Sequence, residues 1–156
     1  MPPVSTKLTF ALGSDEKSRK LPSKIVISQS QNETLDHVLL KALAFVIFHS
    51  DRLRLEVDLE MPGVPFVPDL VALALDGRPE LWIECGEVSL HKLEKLTLKL
   101  GDADIWIVKK SAGDVAKTVE LARPHAAVDV RSRLRSRTVR AGHRRQLASS
   151  CQTRAG

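Results

Sequence analysis

Residues 66–86, FVPDLVALALDGRPELWIECG, limit the fold of this chain more than any other segment. Two apolar runs flank Asp76-Gly77, and an Asp-Gly pair between such runs is a strong signal for a two-residue β-hairpin turn. Each run contains one acid, Asp69 in the first and Glu84 in the second. A two-residue turn places these acids directly opposite each other. The segment therefore predicts an antiparallel hairpin that carries a pair of carboxylates.

Directly opposed residues of a hairpin point to the same face of the sheet, with Cβ atoms about 5 Å apart. Two carboxylates at that distance repel each other unless a cation lies between them or one is protonated. Mg²⁺ and Mn²⁺ prefer such hard oxygen ligands, and waters complete their coordination. The alternative is a half-exposed face on which Asp69 and Glu84 simply contact water. A shift of one residue in the register would separate the two acids.

The chain before the hairpin predicts two strands and a helix. Residues 7–12 and 24–28 are typical of short strands joined by a polar loop. Residues 32–50 have the apolar spacing of a helix with one buried face. We expect Asn32 to cap this helix and Glu33 to lie in its first turn, where the helix dipole stabilises an anion. The residues predicted to be buried are Leu35, Val38, Leu39, Ala42, Leu43, Val46 and Ile47.

Further strands and helices complete the pattern around the hairpin. Residues 53–59 alternate apolar and charged side chains, as a half-exposed strand does. Ser89 can cap a helix that ends at Gly101. Residues 104–109 form a nearly all-apolar run, typical of a strand inside a sheet, and residues 112–123 predict a last helix. The order predicts an α/β fold, a mixed sheet flanked by helices with extra strands at its N-terminal end.

Several motifs in this order resemble the YaeQ family, a branch of the PD-(D/E)XK nuclease superfamily. Pro68-Asp69, followed after fourteen intervening residues by Glu84, is similar to the superfamily motif. The other matching stretches are Asn32-Glu33-Thr34, Lys41-Ala42-Leu43-Ala44-Phe45, Arg52-Leu53, Pro68-Asp69-Leu70 and Leu81-Trp82-Ile83-Glu84-Cys85-Gly86. Together they cover roughly residues 5–123. The resemblance implies a PD-(D/E)XK nuclease-like core.

The resemblance also implies a function, a metal-dependent nuclease or other phosphodiesterase. In this hypothesis Asp69 and Glu84 hold Mg²⁺ or Mn²⁺, and the backbone carbonyl of Cys85 adds a ligand. Glu33 matches an additional acid of the superfamily that can reach the metal from beside the sheet. The metal would polarise the phosphate and lower the pKa of the attacking water. The alternative is a non-catalytic binding or regulatory domain on the same fold, which contacts nucleic acid or the transcription machinery.

The chain departs from the superfamily at Gly86. The superfamily usually carries its catalytic lysine at this position, two residues after the second acid. The helix predicted after the hairpin offers Lys92, Lys95 and Lys99 near one helical stripe instead. Lys95 best matches the basic position of the YaeQ family, and Lys92 is the next candidate for the catalytic lysine. The alternative is that these lysines lie on a hydrated surface.

The positive charge of the chain is concentrated near its C-terminal end. Residues 125–156 contain eight Arg, no Lys and one Asp, whereas residues 1–124 hold 16 basic and 18 acidic side chains. An Arg-rich run can bind phosphates through counterion release, which favours nucleic acid as a partner. The alternatives are a poorly ordered end or a sequence altered by a shifted reading frame. We predict a YaeQ-like domain at 1–124 and a poorly ordered tail at 125–156, apart from a short strand around 127–130.

Composition and cysteine content bound the class of protein. With 43% hydrophobic residues, the chain is globular rather than disordered. It contains no apolar run of the ~18 residues that a membrane span needs, and no signal-peptide pattern opens it. Cys85 and Cys151 match no zinc or disulfide spacing, which favours a reducing compartment. We therefore expect a cytoplasmic protein that is not embedded in a membrane.

Overall fold

A computed structural model describes residues 5–122 in full and residues 134–138 by their backbone. The N-terminal elements are β1 (Thr6–Ala11), β2 (Lys24–Gln29), α1 (Leu35–Phe48) and β3 (Leu53–Leu55). The hairpin strands are β4 (Leu70–Leu73) and β5 (Pro79–Cys85). They are followed by α2 (Leu90–Lys99), β6 (Asp104–Lys109), α3 (Ala112–Ala122) and β7 (Leu134–Thr138).

The strands form two sheets. β1 and β2 make a separate antiparallel pair, and the remaining strands form one sheet in the order β3-β4-β5-β6-β7. In the larger sheet the pairs β3–β4 and β4–β5 are antiparallel. The pairs β5–β6 and β6–β7 are parallel. The α/β prediction of a mixed sheet with helices and extra N-terminal strands is confirmed. None of the helices within residues 5–122 is both long enough and apolar enough to cross a membrane.

Alternate residues of β5 divide the core into two layers. Ile83 and Cys85 pack on one face of the sheet with Val38 of α1, and the buried isoleucines of β2 join this layer. Trp82 packs on the other face with Leu96 of α2. The two helices therefore cover opposite faces of the same strand. Glu84, on the same face as Trp82, consequently meets α2.

The helix α1 begins later and turns a different face inward than its apolar spacing predicts. Its N-cap is Thr34, not Asn32, and Glu33 precedes the helix instead of lying in its first turn. Three residues of the predicted buried face are largely exposed, namely Leu35 (52%), Leu39 (41%) and Leu43 (36%). The residues that are buried are Val38, Leu40, Lys41, Ala42, Ala44 and Phe45. Because α1 is apolar on most of its circumference, its spacing does not decide which side faces the sheet.

The hairpin turn differs from the prediction, but the register beside the acids does not. Gly77 has a φ of 82°, and its N–H donates to the carbonyl of Ala74 at 3.0 Å, so the loop comprises residues 75–77. An irregularity in the register next to the turn absorbs the additional loop residue. Beyond it Leu70 pairs with Ile83, the same partners that a two-residue turn would give. Continued by one residue, this register would place Asp69 opposite Glu84, although the paired part of β4 begins at Leu70.

The strand β3 ends at Leu55, four residues before the end of the predicted strand. Glu56 adopts the left-handed backbone region, with φ of 50°, which takes the chain out of the extended conformation. Its N–H donates to the carbonyl of Asp69 at 3.0 Å and so closes the end of the β3–β4 pair. The turn at Glu56 thus holds the segment that carries Asp69.

The strand β7 lies in the Arg-rich part of the chain. It pairs in parallel with β6, with Ile105 opposite Leu134 and Lys109 opposite Thr138. This strand was not predicted, because its sequence LRSRT contains one large apolar residue. The short strand predicted around residues 127–130 lies outside the described residues.

Candidate active site at the carboxyl end of the central strand

The two acids of the hairpin contact residues of the two helices near the carboxyl end of β5. Asp69 lies one residue before β4, and Glu84 is the last residue but one of β5. The side chain of Glu84 is 4% exposed and that of Asp69 is 13% exposed. A buried carboxylate is costly unless hydrogen bonds or cations compensate its charge. The partners of each acid therefore define the site.

Asp69 is held by the sheet on one side and by α1 on the other. Its Oδ2 accepts a hydrogen bond from the backbone N–H of Cys85 at 2.6 Å. The same oxygen lies 3.2 Å from Nε2 of His37. Just before β4, the Asp69 carboxylate thus accepts the hydrogen bond of a β5 backbone N–H, as a backbone carbonyl does within the paired strands. Within residues 5–122 both contacts use Oδ2, so Oδ1 keeps its lone pairs.

Glu84 is bonded at both oxygens. The indole N–H of Trp82 donates to Oε1 at 2.7 Å, and the Lys92 ammonium donates to Oε2 at 2.7 Å. Lys92 Nζ also lies 5.3 Å from the centre of the Phe66 ring, within the range of a cation–π contact. Burial raises the pKa of the Glu84 carboxyl, and the Lys92 charge offsets that effect only in part. The geometry fixes both the carboxylate and the lysine that neutralises it.

The two acids have separate partners. His37 belongs to α1 and Lys92 to α2, which cover opposite faces of β5. Asp69 nonetheless acts on Glu84 through space, because its negative charge contributes to the raised pKa of the Glu84 carboxyl. A metal ion shared by Asp69 and Glu84 stays a prediction.

A buried lysine extends the site along α1. Lys41 is 1% exposed, and its ammonium forms ion pairs with Glu33 and, at 2.5 Å, with Oε1 of Glu56. Glu33 Oε1 also lies 3.3 Å from Nδ1 of His37. Glu33, His37 and Lys41 are spaced four residues apart and therefore form one stripe of α1 and its N-terminal flank. Glu33 thus lies between Lys41 and His37, and its predicted contact with a metal stays a prediction.

Of the two candidate lysines, the structure places Lys92 beside Glu84. Within residues 5–122, Lys92 pairs with Glu84, whereas Lys95 forms an ion pair with neither acid. The physical reason is position along α2, since Lys92 lies in the first turn, directly after the loop from β5. Gly86 has a φ of 74°, a left-handed conformation that glycine adopts readily and lysine does not. The backbone itself therefore disfavours a lysine at the position where the superfamily usually carries one.

Three residues of this site were not among the predicted site residues. They are His37, Lys41 and Glu56. The sequence does contain one signal for the first two, because Glu33, His37 and Lys41 place charge at four-residue intervals on an otherwise apolar helix. No spacing relates Glu56 to them, since it reaches Lys41 from the turn after β3. Trp82 is a buried core residue, and its indole N–H donates to Glu84.

The model of the YaeQ protein family matches residues 6–152. The chain belongs to the YaeQ family. The match extends past residue 124, where we predicted the domain to end, and includes most of the Arg-rich segment. No curated protein sequence matches the chain.

Two solved structures of YaeQ proteins are similar to this YaeQ chain. The protein from Xanthomonas axonopodis pv. citri has a TM-score of 0.60 and 17% identity, over 86% of this chain and 72% of that chain. The protein from Pseudomonas syringae has a TM-score of 0.53 and 16% identity, over 90% of this chain and 85% of that chain. At these identities the likeness shows the fold alone.

The donor chemistry of the YaeQ site can be compared with the needs of a metal ion. Among the described residues, no three His, Cys, Asp or Glu side chains are grouped so that they could hold a metal. Mg²⁺ commonly binds through only one or two carboxylates and keeps several waters. Asp69, with Oδ1 free, and Glu84 provide two hard carboxylate donors of that kind. The side chain of Cys85 is buried in the core, and its predicted contribution is limited to the backbone.

We expect His37 to link the stability of this YaeQ domain to pH. Its hydrogen bond with Asp69 raises its pKa above the ordinary value, although burial acts in the opposite direction. A folded pKa above the unfolded value means that the stabilisation is fully present below about pH 6.5 and is lost as pH rises through the folded pKa. The free-energy difference between wild type and His37→Gln should therefore be largest near pH 5 and shrink towards pH 9. Urea unfolding at several pH values measures it.

His91→Gln provides the matched control, because His91 is an exposed histidine of α2. Its free-energy difference from wild type should stay near zero across the same range. A difference for His37→Gln that is constant with pH would contradict the proposed pairing with Asp69.

Proposed function

We propose that this YaeQ protein is a metal-dependent phosphodiesterase that cleaves nucleic acid on a PD-(D/E)XK nuclease-like core. The supporting arrangement is a pair of acids at adjacent antiparallel strands, followed by a helix and a parallel strand. The observation that carries the proposal is the contact between Lys92 and Glu84. Lys92 supplies an ammonium group to this acid from α2. At Gly86, directly after β5, the backbone disfavours a lysine.

Asp69 and Glu84, with the Cys85 carbonyl, would hold Mg²⁺ or Mn²⁺, which supplies charge stabilisation at the phosphate and a more acidic attacking water. The protein residues have separate tasks. Trp82 orients the Glu84 carboxylate through its indole N–H, and His37 orients Asp69. Lys92 is 21% exposed, so its ammonium can leave Glu84 and contact a substrate phosphate while its stem stays in place.

A second candidate function is a nucleic-acid-binding domain without cleavage. Its supporting observation is that Glu84 and Asp69 already have internal partners, Lys92 and His37. In that case the cluster would stabilise the fold and would not activate water. The Arg-rich segment would then provide the contacts to phosphate.

We expect Lys92→Met to slow cleavage of single- or double-stranded DNA or RNA at least 100-fold without lowering Mn²⁺ affinity, since the substitution frees Glu84 Oε2 from its ammonium partner. The reason is that Lys92 acts on phosphate and water, whereas the carboxylates hold the ion; positioned catalytic groups typically contribute about 10²–10⁴-fold. Cleavage assays and calorimetric Mn²⁺ titration measure the two effects separately.

Lys95→Met is the matched control, because it removes a lysine from the same helix that pairs with neither acid within residues 5–122. It should retain wild-type cleavage. Equal rates for wild type and Lys92→Met would exclude the proposed role of Lys92. Mn²⁺ binding by the wild type without cleavage of any of these substrates would favour the binding domain.

A further inference from the structure

Lys109 is a buried lysine that the proposed reaction does not use. It is the last residue of β6 and is 3% exposed. Within residues 5–122 its ion-pair partner is Glu87, with Nζ 3.8 Å from Oε2, and the Glu87 side chain is 95% exposed. Such a distant pair with a hydrated carboxylate compensates little of the cost of burying an ammonium. Lys41, by contrast, has two close carboxylates.

The register of the sheet places Lys109 beside the acid site. β5 and β6 run parallel, with Glu84 opposite Ile107 and Cys85 opposite Val108. The N–H of Gly86 donates to the carbonyl of Val108 at 2.9 Å, so Lys109 lies level with Gly86 on the neighbouring strand. The carboxyl ends of parallel strands are where open α/β sheets bind ligands. Lys109 thus places a positive charge beside Gly86, the residue after β5.

Lys109 also lies on the same face of the sheet as Lys92. Alternation along β6 places it with Ile107, which packs with Leu93 of α2. Glu84 and its partner Lys92 occupy this face as well. Two lysines and one neutralised carboxylate therefore face the same side, next to the end of the central strand. An ammonium whose ion-pair partner within residues 5–122 is one distant carboxylate keeps donors that suit the oxygen atoms of a phosphate group.

We propose that Lys109 binds a phosphate group of the ligand on the α2 face, at the carboxyl ends of β5 and β6. This assignment rests on the proposed function for its substrate class, since a phosphodiester supplies the anion. It names a residue of β6 for phosphate binding, separate from Lys92 at the acid. Binding of inorganic phosphate without a divalent metal tests it independently of catalysis.

The experiment titrates inorganic phosphate into the full chain in EDTA and follows backbone amide signals by NMR. In the wild type the amides of Gly86, Glu87 and Lys109 should shift with saturation. Lys109→Met should weaken phosphate binding at least tenfold, whereas Lys109→Arg, which keeps the charge, should bind within about threefold of wild type. Lys110→Met is the matched control, because this neighbouring lysine is exposed and pairs with Asp36 of α1. It should bind phosphate as the wild type does.

Thermal unfolding provides the second readout. If Lys109 serves a ligand, replacing it with Met removes a poorly compensated buried charge, and the melting temperature should stay equal or rise. A lower melting temperature together with unchanged phosphate affinity would assign Lys109 to the fold and overturn the proposal. The absence of a saturable shift at residues 86, 87 and 109 of the wild type would overturn it regardless of how the variants fold.

Cleavage assays distinguish this proposal from the proposed function. Phosphate binding that depends on Lys109, without cleavage of any nucleic acid, would leave the phosphate site in place and remove the phosphodiesterase. Cleavage that is unchanged in Lys109→Met, with phosphate affinity also unchanged, would remove the phosphate site and leave the phosphodiesterase in place.

Discussion

Lys41→Met should lower the free energy of unfolding by about 3–5 kcal/mol, the range observed when one partner of a buried ion pair is removed. The Lys41 ammonium is almost fully buried between Glu33 and Glu56. Methionine has a similar volume, so the loss reports charge and not packing. It leaves the buried Glu33 carboxylate without its main cation. Urea denaturation at pH 7, evaluated with a common m-value, measures the change.

The same substitution at Lys110 controls for the loss of a lysine charge. Lys110 and Asp36 form an ion pair in which both side chains are 64% exposed. Exposed pairs contribute about 0–1 kcal/mol, so Lys110→Met should have little effect. Adding Glu33→Gln to Lys41→Met should recover part of the lost stability, because it removes the uncompensated carboxylate. Equal stability of the Lys41 and Lys110 variants would show that Lys41 is not held by these carboxylates.

Glu84→Gln should reduce phosphodiester cleavage by roughly 10³-fold or more, because the loss of an anionic metal ligand removes several kcal/mol of transition-state stabilisation. Mn²⁺ affinity should fall with it. Glutamine retains an oxygen that can accept the hydrogen bond from Trp82, so the shape of the site is preserved. Lys92 is partly exposed and can turn to water when its partner loses the charge. Parallel measurement of cleavage and Mn²⁺ binding tests both expectations.

The free energy of unfolding of Glu84→Gln should rise relative to the wild type, whereas its activity should fall. Burial raises the pKa of the Glu84 carboxyl in the folded protein. The wild type therefore loses stability as pH rises through this raised pKa, whereas a neutral amide does not titrate. Glu80→Gln is the control, because Glu80 lies in the same strand and forms an exposed pair with Arg52. Cleavage and Mn²⁺ affinity that match those of Glu80→Gln would remove Glu84 from the active site.

Local signals were sufficient for the elements that position the acids. Ser89 caps α2 through a hydrogen bond from the N–H of Lys92, as its place before the apolar spacing predicted. The register of β4 with β5 was also predicted correctly, although the turn that was assumed for it has one residue too few. The hydrophobic patterns of both strands admit that register, and the irregularity near the turn adjusts the loop to it. Burial of apolar side chains in the two strands thus set their register, and the turn adapted to it.

The partners of the acids could not be predicted from local patterns, because they come from separate segments. Lys41 lies among apolar residues of α1, and its burial depends on Glu33 together with Glu56, which approaches from another turn. The preference for Lys95 over Lys92 relied on a family resemblance and on helical spacing. Distance along α2 from the end of β5 places Lys92 beside Glu84, and that distance depends on the three-dimensional path of the loop. Charge pairs between distant segments therefore determine the partners of the acids, which local sequence patterns do not specify.

The site stands on β5, the middle strand of the five, with two strands on either side. Amides in the centre of a sheet exchange with solvent only in openings that approach complete unfolding, whereas edges and short hairpins open more often. The N–H that Cys85 donates to Asp69 belongs to this central strand. Local opening of the β1–β2 pair or of the edge strand β7 would leave the two acids in register. The arrangement of charges at the site should therefore persist for as long as the domain itself remains folded.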